Sequence, residues 1–196
     1  MLGQSAISPV TCVDSAAVCV FPTDIGWVGI AGRGHVLQSL VFGYDSQAEV
    51  LSRYRAKLED GGEIEDWNPT LRVRLQRFLG GQGSADFRDV DTVATESTPF
   101  AARVIATVRN IPAGQVKSYA EVAAASGSPK ASRAVGNLMA RNTIPLVIPC
   151  HRVVASGGRL GGFSSPKGLE MKTRLLRLEG FADVAAFRNL SLVNGH

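Results

Sequence analysis

Short apolar runs bounded by turn residues fill the first 45 positions, and apolar residues at helical spacing recur through most of the later chain. Three runs predict strands: Val18-Cys19-Val20-Phe21, closed by Pro22; Trp27-Val28-Gly29-Ile30; and Val36 through Gly43, after the turn Gly32-Arg33-Gly34. From Gln47 to Glu59 the pattern turns helical, with Val50, Leu51, Tyr54 and Leu58 on one side, until Gly61-Gly62 breaks it. Asn68-Pro69 opens a second helix whose apolar face is Leu71, Leu75, Phe78 and Leu79, with Arg72, Arg74 and Arg77 elsewhere. Gly80 to Ser84 ends it, and the polar stretch from Asp86 to Thr98 reads as a linker.

Helices dominate the remainder. Thr98 caps one that has Pro99 in its first turn and carries Phe100, Ala101, Val104, Ile105 and Val108. After the turn Ile111-Pro112-Ala113-Gly114, Ser118-Tyr119-Ala120-Glu121 fits a capping box that opens a short helix, closed by Gly127. Ser128-Pro129 starts the next helix, running to about Arg141, so the two together predict a helix-turn-helix. Ala131, Ala134, Val135, Leu138 and Met139 form its expected inward face, and Arg133, Gly136, Asn137 and Ala140 the outer one. A glycine in mid-helix costs about 1 kcal/mol relative to alanine. Small residues around one arginine would let this face press closely against a flat or grooved partner. A last helix opens at Ser165-Pro166, runs through Leu169, Leu175, Leu176 and Leu178, and stops at Glu179-Gly180. The expected fold class is α+β (α/β) in two parts: residues 1–95, a small sheet-plus-helix domain with its linker, and residues 96–196, a mostly helical domain.

Composition narrows the field of functions. The 196 residues, 45% hydrophobic and 19% charged, suit one domain or two small ones. No segment approaches the ~18–20 continuous apolar residues of a membrane span. The start lacks a basic region, and Asp14 interrupts the nearest apolar patch, so no secretory signal is expected. Three cysteines, Cys12, Cys19 and Cys150, lack framework spacing and point to a cytoplasmic protein with free thiols. Cys12, Cys19 and His35 match no tetrahedral ligand pattern, and Gly-x-Gly at 32–34 lacks the third glycine of a phosphate loop. Neither a metal nor a cofactor is expected. Charge is split along the chain: residues 1–95 carry 8 Lys/Arg against 12 Asp/Glu, and residues 96–196 carry 13 against 5. A second half at net +8 suggests a polyanionic partner, most simply DNA.

The densest chemistry lies at Ile148-Pro149-Cys150-His151-Arg152-Val153. Pro149 fixes its own φ and pushes Ile148 toward extended backbone, so Cys150 is expected at the end of a stiff, extended lead-in. A thiol becomes a nucleophile as its thiolate, and an adjacent imidazole is the usual means of making one. The loop Gly157 to Ser164, glycine-rich with the single aromatic Phe163, can fold over a planar ligand. Glu179 stands in a last helical turn, where the helix dipole prefers a cation; a carboxylate reaching His151 would explain it. Nucleophile, base and orienting acid would then all be present.

These residues resemble the O6-alkylguanine-DNA alkyltransferases. Pro149-Cys150-His151-Arg152-Val153 is similar to that family's active-site signature. The likeness extends from Gly114 to Gly180 through Ser118-Tyr119, Ala131-Ser132-Arg133-Ala134-Val135-Gly136, Asn142 and Leu178-Glu179-Gly180. The first half matches only in outline. The resemblance implies a ribonuclease-H-like first domain and a winged helix-turn-helix that enters the DNA minor groove, with Ala131, Ser132 and Gly136 along it. Arg133 would fill the space of the flipped guanine, and Tyr119 would rotate the nucleotide out and protonate the leaving base. Cys150 would attack the alkyl carbon of O6-alkylguanine, or of O4-alkylthymine. His151 would take the thiol proton through a water, Glu179 orient His151, and Asn142 brace the segment. Backbone groups at Cys150 and Val153, and the Ser164 N–H, would read the guanine edge in a pocket that also takes Phe163 and Met139.

The thioether product is inert and nothing in the sequence could remove it, so each chain should act once, as a monomer on double-stranded DNA. The sequence departs from the family in two places: Phe163 stands where many members carry tyrosine or tryptophan, and two extra residues appear near Ser165-Pro166-Lys167. Phe163 lacks a hydroxyl donor, which bears on pocket size and not on the reaction. No amino-terminal zinc-thiolate sensor is evident, so a transcription-activating version is not expected. Three rival readings predict different behaviour. A lesion-recognising relative would lack the cysteine, a winged-helix regulator would show no thiol reactivity, and a cysteine hydrolase would turn over repeatedly.

Overall fold

The computed structural model describes residues 16–94 and 98–187, so Cys12 lies outside the described residues. β1 (Ala17–Thr23), β2 (Gly26–Arg33) and β3 (Val36–Tyr44) form an antiparallel meander, and β4 (Glu63–Ile64) adds parallel to β1, in the order β3-β2-β1-β4. All three predicted strands are present. Side chains alternate across the pleat. Val18 and Ala31 face α1 (Gln47–Arg53), where they pack with Val50 and Tyr54. Cys19, Phe21, Val28 and Ile30 face the main core.

The predicted helix from Gln47 to Glu59 is divided at Tyr54 into α1 and α2 (Arg55–Glu59). The break lets the buried Tyr54 hydroxyl donate to the Gly29 carbonyl at 2.9 Å. Gly29 permits this approach, since a Cβ there would lie 2.5 Å from Tyr54 Cε2. α3 (Pro69–Leu79) is capped by Asn68 Oδ1 on the Leu71 N–H, with its predicted apolar residues all buried. Such a cap is worth about 1 kcal/mol.

The stretch read as a linker is part of the fold. Leu37 N–H donates to Asp91 O and Val93 N–H to Leu37 O, both at 2.9 Å, so residues 91–93 run along β3, while Phe87 and Val90 are buried. Two apolar anchors hidden among acids and arginines account for the difference. Arg109 adds hydrogen bonds from Nη2 to the Arg88 and Val90 carbonyls, both at 2.9 Å.

α4 (Pro99–Arg109) is capped by Thr98 as predicted. β5 (Lys117–Ser118) leads into α5 (Tyr119–Ala125), where Ser118 and Glu121 close the expected capping box. α6 (Ser132–Ala140) begins later than predicted: Ser128 to Ala131 forms a turn, with Ala131 N–H bonded to Ser128 O. That start places Ala134 in the first turn, where it is exposed and not inward; Val135 and Met139 are buried as expected. β6 (Val153–Val154) pairs parallel with β5, and α7 (Gly168–Leu178) closes the chain's second core with Val154, Leu160, Leu176, Val184 and Phe187. One large cluster takes side chains from both halves, including Phe42, Leu75, Val104, Val135, Cys150 and Met171.

Candidate active site

The apolar run before the cysteine is a tight turn, not the extended lead-in expected. Ile148 N–H returns to Ile144 O at 2.9 Å, and Leu146 takes a left-handed φ of 72°. A non-glycine residue held there costs about 1–3 kcal/mol and persists only when its surroundings impose it. Asn142 supplies that imposition: Nδ2 donates to Ile148 O at 2.8 Å and Oδ1 accepts from Ile144 N–H at 3.0 Å. Leu40 N–H of β3 holds the same segment through Thr143 O at 2.9 Å. Pro149, at φ −79° and ψ 66°, then makes an inverse γ-turn in which Cys150 N–H bonds Ile148 O at 2.7 Å. Cys150 opens a single 3₁₀ turn of three residues.

Cys150 is 7% exposed and forms part of the wall of a cavity of about 210 Å³. Tyr119, Gly136, Met139, Phe163 and Ser164, all named from the sequence, line it with Cys150. Ser164 Oγ donates to Ala140 O at 3.1 Å, which ties the glycine-rich loop to the end of α6. Phe163 packs on Phe42 of β3, ring centroids 6.2 Å apart. At Gly161, φ is +74° and a Cβ would stand 2.9 Å from the Tyr119 hydroxyl, so the loop passes the tyrosine only as glycine. Val153 stands apart from this wall. Its side chain is wholly buried in β6, and its carbonyl accepts a hydrogen bond from Lys172 Nζ at 2.6 Å.

Behind the sulfur lies a buried charged cluster. His151 Nε2 meets Glu179 Oε1 at 2.8 Å, with side chains 1% and 0% exposed. Arg152 donates to the same carboxylate from Nε at 2.9 Å and from Nη2 at 2.7 Å. The remaining Arg152 donors reach Ile111 O at 2.6 Å and Ala85 O at 2.9 Å. Burial by itself would raise the Glu179 pKa; hydrogen bonds from His151 and Arg152 override it and hold the carboxyl at about 2. The carboxylate is therefore ionised and can only accept, so Nε2 carries the ring proton and Nδ1 the lone pair. Nδ1 has no hydrogen-bond partner among the described residues. Burial pushes the His151 pKa down and the Cys150 thiol up, while the Asn142 amide and Lys172 charge pull the thiol back. The resting site is a neutral thiol beside a neutral imidazole.

Lys172 has a role that the sequence pattern does not announce. It is 0% exposed, and Nζ donates to Val153 O and Leu160 O, both at 2.6 Å. Burial lowers its pKa to about 8. It clamps the strand after the cysteine to the loop over the cavity. A lysine between Leu169 and Leu176 on an apolar helical stripe is the one signal available. Arg152 and Leu146 are equally silent, since neither an ion pair nor a positive φ is written in local sequence.

On the α6 face, Arg133 and Asn137 are exposed, and Ala131 and Ser132 half-buried. A Cβ on Gly136 would meet only Tyr119 Cε1, at 3.9 Å, so packing inside the protein does not require glycine there. Among the described residues no group of three His, Cys, Asp or Glu is arranged to hold a metal, and no helix is long and apolar enough to cross a membrane.

A helix-turn-helix whose Tyr119, Gly136 and Met139 line the pocket of a cysteine backed by a His–Glu pair is the fold and site of a DNA-binding protein with a cysteine nucleophile. Residues 99–181 match the family model described as the DNA binding domain of 6-O-methylguanine DNA methyltransferase. A methylated-DNA–protein-cysteine methyltransferase of Methanosarcina acetivorans is 46% identical over 163 residues, 82% of this chain and 96% of that one. The crystal structure of Mycobacterium tuberculosis OGT in complex with DNA superimposes with a TM-score of 0.67 at 29% identity, covering 87% of this chain and 99% of that one. An O6-methylguanine-DNA methyltransferase from Pyrococcus kodakaraensis gives 0.63 at 27% identity, with 84% and 99% covered. The chain belongs to the methylated-DNA–protein-cysteine methyltransferase family.

Proposed function

We propose that Cys150 is the acceptor in direct reversal of O6-alkylguanine damage in DNA, and that each molecule reacts once. Membership of the family makes the protein a methylated-DNA–protein-cysteine S-methyltransferase that repairs DNA. The observation that supports this assignment of the acceptor is the Cys150 sulfur at the wall of a small cavity, backed by a neutral His151 whose tautomer is set by Glu179.

Sulfur attacks the alkyl carbon as the carbon–oxygen bond to guanine breaks, and the guanine leaves with the electron pair. The thiol proton passes to Nδ1 of His151, through a water where direct reach is lacking, and a proton from Tyr119 neutralises the departing base. A soft thiolate suits an alkyl carbon, and forming it only as the substrate arrives protects it from oxidation. Glu179 stabilises the imidazolium that results. Asn142, through its grip on the 144–148 turn, fixes where the sulfur points.

α6 lies in the minor groove in this reading, with Ala131, Ser132 and Gly136 against the backbone and Arg133 inserted where the guanine was. Extruding a base costs a few kcal/mol, least for a weakly paired one, which favours the lesion. Phe163 and Met139 bound the base and the backbone of Cys150, Val153 and Ser164 reads its edge. The division into residues 1–95 and 96–196 assigns docking and chemistry to the second part. The protein acts as a monomer in the cytoplasm. Incubation with an O6-methylguanine duplex followed by peptide mapping tests the assignment: a methyl on Cys150 supports it, and a methyl elsewhere overturns it.

A further inference from the structure

A second cleft, of about 400 Å³, opens beside the Cys150 cavity and shares Ala140 and Ser164 with it. Its walls come from both halves of the chain: β3 and α1–α2 on one side, the residues after α6 and the 164–166 loop on the other. Arg53, Lys57 and Arg141 line it, and no Asp or Glu does. That is the reverse of the balance around it, since residues 1–95 hold 12 Asp/Glu against 8 Lys/Arg. None of the three cations is ion-paired among the described residues; Lys57 Nζ donates to the neutral Gln38 amide at 3.2 Å. Asp45, next in sequence to the lining Tyr44, is held by Lys167 at 3.2 Å. Ser165, also on the wall, has a hydroxyl without a hydrogen-bond partner among the described residues.

A cleft lined by charge of one sign focuses its field on whatever enters it. Arginine, lysine and serine are among the side chains that meet phosphate oxygens on DNA. Arg141 directly follows α6, so the cleft continues the surface that would face the duplex. We propose that this cleft seats a phosphate of the damaged DNA strand, so that Arg53 and Lys57 of the first half take part in docking. The proposal rests on the repair reading and adds to it: the sheet domain becomes a second grip on the backbone beside the extruded nucleotide.

Binding of an O6-methylguanine duplex as a function of KCl tests it, with Cys150→Ser in every arm so that no alkyl group moves. Each phosphate that the protein neutralises adds about 0.9 to the slope of log affinity against log salt. Arg53→Gln with Lys57→Gln should flatten the slope by about one for each phosphate no longer neutralised. Arg53→Lys with Lys57→Arg should keep it. Arg55→Gln, on α2 but lining a different groove, should also leave it unchanged. In the Cys150 chain, the double glutamine variant should react with free O6-benzylguanine at the parental rate. An unchanged slope in the double variant overturns the proposal, as does an equal effect of Arg55→Gln or a matching loss on the free base. Failure of the Cys150→Ser parent to bind the duplex at any salt would overturn the repair reading and this proposal with it.

Discussion

His151 and Glu179 are locked together at 2.8 Å with both side chains buried, and the lock decides which imidazole nitrogen is basic. Because Glu179 also anchors Arg152, one carboxylate sets the tautomer of the imidazole and neutralises the cation beside it.

The pH dependence of alkyl transfer is set by this arrangement. Burial holds the His151 pKa below its ordinary 6.5, so the ring is neutral and able to accept a proton from there upward. The thiol is raised by burial, so solvent does not ionise it in advance. The rate of reaction with O6-benzylguanine should be flat between pH 6.5 and the Lys172 value of about 8, and should fall on the acid side below 6.5. A tenfold rise per pH unit across the flat region would mean a thiolate formed by bulk hydroxide and would refute the pair.

Glu179→Gln should cost rate and stability together. Loss of the carboxylate that orients the proton acceptor His151 lowers the rate by up to about 10²–10⁴-fold, the worth of a positioned general base. Leaving Arg152 as an uncompensated buried cation costs about 3–5 kcal/mol. The sign with pH is fixed by the depressed carboxyl: folded Glu179 binds fewer protons than the unfolded chain between its ordinary 4.5 and about 2. Its contribution is complete above pH 4.5 and vanishes as pH falls through about 2. Denaturant titration at pH 7 and at pH 3 should therefore show a smaller pH effect in Glu179→Gln than in the parent.

Arg133→Ala should slow transfer from duplex DNA while sparing free O6-benzylguanine, because an inserted side chain matters only when a base must be held out of the stack. Rates on both substrates are the readout. Equal losses would place Arg133 in the chemistry or the fold and not in the DNA duplex.

Gly136→Ala separates folding from docking. Nothing in the protein crowds the added methyl, whose nearest neighbour is 3.9 Å away, so helix propensity should raise stability by about 0.5–1 kcal/mol. Duplex affinity should fall, since the methyl stands on the face proposed to meet the groove. A variant that is more stable and binds duplex equally well would remove α6 from the interface.

Gly161→Ala should be destabilising by about 1–3 kcal/mol, from a left-handed backbone and a methyl 2.9 Å from the Tyr119 hydroxyl. Thermal unfolding measures this directly; an unchanged melting temperature would show that the loop moves away from the tyrosine at little cost.

What the sequence discloses depends on how local its cause is. Caps at Asn68, Thr98 and Ser118 act within four residues, and each is readable in the sequence. Strands β1 to β3 arise from runs of apolar residues between turns. The cavity residues Tyr119, Gly136, Met139, Phe163 and Ser164 are nameable because the family resemblance carries them, not because any spacing brings them together. Distant causes stay hidden. The pairing of residues 91–93 with β3, the Leu40–Thr143 bond and the reach of Arg152 to Ala85 all join segments far apart in the chain. The turn at Leu146 is masked by an apolar run that looks extended, and its reason lies in the two hydrogen bonds of Asn142. Lys172 escapes notice because lysine is ordinarily a surface residue, and its three carbonyl acceptors come from chain that precedes it by 10 to 19 residues.

The most direct measurement is the intact mass of the protein over time in excess O6-methylguanine duplex. One added methyl per chain, a plateau at one equivalent of repaired DNA, and no adduct in Cys150→Ser are the expected results. Repair continuing past one equivalent, or a methyl still acquired by Cys150→Ser, would contradict transfer to this single sulfur.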